Sequence, residues 1–185
     1  MDFLVNLWLP ILATTVALWM ASTIFWTISP QHENDFSRLP DEDELMAGIR
    51  KADIPAGIYM FPFMKHSEMK NPDAIEKYKN GPRGTLVLWE IPSMAKNIAL
   101  TILYFFIVTF VMAYIAWEAF SLAPAEAANF KRIFQIVGAI GVLVYCSSGQ
   151  LNAIWFPKRM RMEFLDGIVY GVISGLVFAL LWLAT

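Results

Sequence analysis

The sequence predicts an all-α membrane protein, a four-transmembrane-helix bundle with a small cytoplasmic α/β insert between its first and second helices. Three observations lead there. Of 185 residues, 57% are hydrophobic and 16% charged, whereas a soluble domain carries about 25% charged residues. The charges crowd between Gln31 and Lys96 and nearly vanish elsewhere. Four apolar runs, residues 3–28, 95–120, 133–156 and 164–184, are each long enough to cross a bilayer, which takes about 20 residues. The expected organisation is a first helix over 1–29, a membrane-associated insert over 30–94, and helices two to four over 95–185.

The first run has no basic leader, since Asp2 is its only early charge. It is also longer than the roughly 7–15 apolar residues of a cleaved signal, so it reads as a retained helix that Pro30 ends. The insert carries its own punctuation. "DEDELMAGIRKA" runs from acids to bases, the order a helix dipole favours. "GIYMFPF" and "GTLVLWE" are rich in β-formers and read as two short strands. Between them "NPDAIEKYK" is a helix with Asn71 at the N-cap and Pro72 at N1, and "NGPRG" is a turn. The apolar residues of "GIYMFPFM" fall on both faces of their strand, so the insert is expected to lie against the membrane surface. The second half of the third run, "YCSSGQLNAIW", is polar, but no proline precedes Pro157, and the helix is expected to continue to Trp155.

Lysine and arginine set the orientation. The first connection holds nine of them and the third holds Lys158, Arg159 and Arg161, against Lys131 and Arg132 alone on the opposite side. The insert is therefore expected inside and both termini outside. Trp8, Trp117 and Trp182 then fall near the outer interface, and Trp26, Trp89 and Trp155 near the inner one. A net charge of -2 without a basic stripe argues against nucleic acid. The single Cys146 excludes an internal disulfide and reads as a buried, inert thiol.

Candidate functional residues are few. Gly138, Gly141, Tyr145, Ser148 and Asn152 recur on one face of the third helix. Gly167, Gly171 and Gly175 form a small-xxx-small face on the fourth helix, and Ala13, Ala17 and Ala21 form another on the first. These read as helix-packing faces, with the glycine groove expected against the alanine face. The sharper alternatives are that one face binds another protein's helix, or that Ser148, Gln150 and Asn152 line a small polar pocket. Asp166 sits in the first turn of the fourth helix, where a carboxylate suits the helix dipole.

"HENDF" is half of a zinc-protease motif, but Phe36 stands where the second histidine belongs. A metal site from His32, Asp35 and the distant His66 is the weak alternative to a simple membrane exit. Neither histidine lies in a span, which disfavours haem, and no cofactor is expected. No nucleophile elbow or phosphate loop is present.

With "LWLPILATTVALWMAS", "PQHENDF", "LPDEDELMAGIR", "GIYMFP", "KNGPRGTL" and "FLDGIVYG" in order, the chain resembles a family of small bacterial inner-membrane proteins of unassigned function. The resemblance implies a bacterial inner-membrane location, hence periplasmic termini, and no activity. The expected role is a non-enzymatic structural or accessory subunit, with the lipid bilayer, other membrane subunits or a second copy as partners. The alternatives are a small-solute binding or transport protein using the polar half of the third helix, and an inner-leaflet enzyme or metal site around His32.

Overall fold

The computed structural model describes residues 2–68, 70–124 and 128–182. Four of its helices are long and apolar enough to cross a membrane, and a small two-stranded sheet accompanies them. The chain divides into two units, Met1–Phe36 with Met94–Thr185, and Ser37–Ser93. The boundary falls after Phe36, so the segment from Pro30 that was expected to open the insert belongs with the helices. Met1, Thr185 and the expected end of the fourth helix at 183–184 lie outside the described residues.

In the helical unit, α1 (Asp2–Thr23) runs into a π-turn, Ile24–Ile28. Ser29 leaves helical geometry and Pro30 starts a short 3-10 turn, Pro30–His32. This is the expected ending, since proline cannot donate the next helical hydrogen bond. The other long helices are α4 (Met94–Ser121), α5 (Phe130–Ser147) and α7 (Arg161–Trp182). Asn129 caps α5 by accepting from the Arg132 backbone N–H at 3.1 Å.

The third run does not stay one helix. Ser148 is extended and Gly149 adopts a left-handed φ of 78°, after which a short α6 (Gln150–Trp155) sets off afresh. Glycine takes that conformation without the steric cost other residues carry.

The glycine groove of α7 meets α5, which corrects the expected pairing with Ala13, Ala17 and Ala21. A Cβ added at Gly171 would lie 2.5 Å from Val142 Cγ2 and 2.6 Å from its backbone N. One at Gly175 would lie 2.7 Å from the Phe134 carbonyl, and one at Gly167 2.8 Å from Cys146 Sγ. Gly138 and Gly141 approach Gly171 from the α5 side, so small residues of both helices let the backbones touch. Ala13, Ala17 and Ala21 are half-buried; α1 instead buries Leu7, Pro10, Ile11, Thr14, Thr15 and Leu18.

Aromatic contacts fix which helix ends meet. Phe3 of α1 touches Phe110 and Tyr114 in the second half of α4, and Trp117 stacks on Trp182 of α7. At the other end Phe25 stacks on Tyr170, and Phe105, Tyr145 and Tyr170 contact one another edge-on or tilted. Connected neighbours among the long helices therefore run in opposite directions.

In the second unit, α2 (Glu42–Lys51) begins with three acids and ends with Arg50 and Lys51. Strand β1 (Gly57–Phe61) pairs antiparallel with β2 (Gly84–Leu88), Tyr59 opposite Leu86. Between them lies α3 (Pro72–Asn80), where the Asn71 side chain accepts from the Asp73 N–H at 3.0 Å. These are the elements the sequence predicts. No described residue of this unit is fully buried, and two strands without a core are marginal by themselves.

Candidate functional site

The site lies where α1 ends and α7 begins. The π-turn places an extra residue in the last turn of the first span and closes with Ser29 N–H donating to the Ile24 carbonyl at 2.9 Å. Such turns recur at functional positions because they re-aim neighbouring side chains. Here Trp26 stacks flat on the His32 ring, with centroids 3.9 Å apart and planes 9° from parallel.

His32 is buried, 8% exposed, and a carboxylate faces each ring nitrogen. Nδ1 lies 2.5 Å from Asp35 Oδ2, and Nε2 lies 3.0 Å from Asp166 Oδ2. Asp166, 4% exposed, accepts a further hydrogen bond from Gln31 Nε2 at 2.7 Å. Only the doubly protonated imidazole donates to both carboxylates. Burial pulls the His32 pKa down, but the hydrogen bonds and negative charges of Asp35 and Asp166 outweigh it and hold the pKa above its ordinary value. The stacked indole face also favours the cation. On the exposed side, Arg159 donates to the Asn34 carbonyl and fastens the loop to the start of α7.

Two cavities flank this chain of polar groups. One, of about 270 Å³, lies among the helix ends and is lined by Trp26, Tyr104, Phe105, Tyr145, Tyr170 and Asp166, with Ser22, Thr101, Ser148, Gln150, Glu163 and Gly167 completing it. The other, of about 560 Å³, is lined by Gln31, Asn34 and Asp35 facing Lys158, Arg159 and Arg161. The Tyr145 side chain is 8% exposed, and its hydroxyl is buried beside that of Thr109.

The structure brings His32 and Asp35 together, as the metal alternative required. His66 belongs to the other unit and is exposed. Among the described residues no three or more His, Cys, Asp or Glu are placed to hold a metal ion. The geometry explains why. The two carboxylates sit at opposite edges of the imidazole, whereas a metal needs donors converging on one point.

The polar trio of the third helix is split by the break at Gly149. Ser148 and Gln150 line the smaller cavity, while Asn152 lines a separate one that Ser148 also borders, with Phe156 and Lys158. Asp166 was expected only as a helix-dipole acid. Its spacing to Tyr170 and Ser174, one and two turns on, was the signal that it lies on the buried face, since all three are buried.

No protein-family model, curated protein or solved structure matches the chain.

Proposed function

We propose that this chain is a multi-pass protein of the bacterial inner membrane that binds a small solute in the cavity among its helix ends. In this reading the four helices form a transmembrane bundle, the termini are periplasmic, and the insert and the cavity end are cytoplasmic. The lysines and arginines of the first and third connections support that orientation.

One observation carries the binding role. The cavity gathers the buried Asp166 carboxylate, five aromatic rings, and the Ser148 and Gln150 side chains. Packing alone does not favour a carboxylate among aromatic rings, since a charge taken out of water is costly. At about 270 Å³ the space is just under the roughly 300 Å³ where drug-sized sites begin, so the solute is small.

The accessory-subunit reading retains one observation of its own. The short α6 exposes Leu151, Ile154 and Trp155, each above 70%. A partner helix or the lipid interface would cover them equally well.

The binding role is tested by thermal unfolding of the purified full chain against cationic, anionic and neutral small solutes. At least one class should raise the unfolding temperature, because binding to the folded state alone stabilises it. Ser22→Trp, which fills the cavity rim, should remove the effect. Stabilisation by no class, or stabilisation that persists in Ser22→Trp, would overturn the role.

A further inference from the structure

We propose that the solute of this cavity is a small organic cation, an amine or quaternary ammonium compound held by aromatic faces and acids. The proposal rests on the solute-binding reading above and names its chemical class.

The lining decides the class. Trp26, Tyr104, Phe105, Tyr145 and Tyr170 surround the space, and Glu163 and Asp166 are its charged groups. Among the described residues that line it there is no lysine, arginine or histidine. An anion would meet two carboxylates and the negative faces of the rings. A cation is drawn by both, and aromatic cages with an acid are how proteins recognise ammonium groups.

The acids are not equivalent. Glu163 is tied to Lys158 at 2.5 Å and is the more exposed of the two. Asp166 is 4% exposed and shares one imidazole with Asp35. Asp166 is the member of that cluster on the cavity wall, whereas Asp35 faces Lys158, Arg159 and Arg161 across the other cavity.

The probe is choline, with its uncharged isostere 3,3-dimethylbutan-1-ol as control, titrated calorimetrically into the full chain in lipid nanodiscs. Choline should bind about tenfold or more tightly than the isostere, the scale that a desolvated cation–π contact with an ion pair supplies. Asp166→Asn should weaken choline at least as much. Because a buried aspartate variant can fail to fold, Glu163→Gln and Tyr104→Leu serve beside it. Both residues are less buried, and each change should weaken choline binding several-fold. Equal binding of choline and isostere would overturn the cation class and leave the solute site standing. Choline binding untouched by all three substitutions would place it elsewhere and overturn the proposal. Binding of neither probe would overturn the cation class as well, while the wider solute screen decides the site itself.

Discussion

The imidazole of His32 is closed at both edges by carboxylates and on one face by Trp26, and this has a consequence for stability. Its folded pKa is raised above the ordinary value of about 6.5. The stabilisation is therefore full below pH 6.5 and is lost as pH rises through the higher folded value. The unfolding temperature of the purified protein should fall across that window, and His32→Gln should remove the fall. His32→Leu should do more harm. It leaves the buried Asp166 and the half-buried Asp35 without their counter-charge, a loss on the order of 3–5 kcal/mol, readable from denaturant unfolding. Half of this cluster was legible in the chain. His32 and Asp35 stand out as polar residues just past a span. Asp166 is 134 positions away from His32 and already has a sufficient local reason, the helix dipole, so nothing in the local pattern tied it to the histidine.

At the scale of elements, the α5–α7 contact is the closest in the helical unit and gives a prediction with a diagnostic sign. Gly→Ala inside a helix ordinarily stabilises by about 1 kcal/mol. At Gly171 the added Cβ would collide with the Val142 side chain and backbone and sit 3.0 Å from the Gly138 carbonyl. Gly171→Ala should therefore destabilise, by about 1–3 kcal/mol as for other overpacked positions, and Gly171→Leu by more. Val169→Leu, on the exposed side of the same helix, should be mild. Equilibrium unfolding of the three variants decides it; a stabilised Gly171→Ala would refute the contact. The small-residue period was visible in the sequence. Its partner was not, because α1 and α5 both carry small residues at helical spacing and periodicity does not say which face is turned toward α7. The break at Gly149 was missed for a related reason. No proline marks it, and a glycine in a helical pattern shows its left-handed conformation only in the structure.

For the whole molecule, four helices long and apolar enough to cross a membrane and the elements of the second unit could be read directly, because hydropathy, caps and turn residues are local signals. How the molecule sits in its membrane is proposed from charge. Single cysteines test it in intact cells with an impermeant thiol reagent, in a Cys146-free background. A cysteine at Lys131 should be labelled from outside, and one at Lys79 only after the membrane is opened; both sites are exposed. The reverse pattern would invert the topology. The insert exposes Ile58, Phe63, Trp89 and Ile91, each above 70%, and its Lys65, Lys70, Lys77 and Lys79 are exposed as well. We expect it to rest on the lipid, since apolar groups and lysines together suit an anionic membrane surface. A spin label at Ile58 of the full chain should collide with membrane-dissolved oxygen more than with a water-soluble nickel chelate. The opposite preference would free the insert from the surface.

The site stands or falls with His32. The chain has two histidines, so His66→Gln leaves a single imidazole, and its ¹⁵N resonances can be followed against pH in the full-length protein. Both ring nitrogens should carry protons with shifts of hydrogen-bonded N–H groups. The midpoint should lie above the ordinary value of about 6.5 and move down when Asp166→Asn removes one carboxylate. A midpoint at or below the ordinary value, indifferent to Asp166→Asn, would contradict the site.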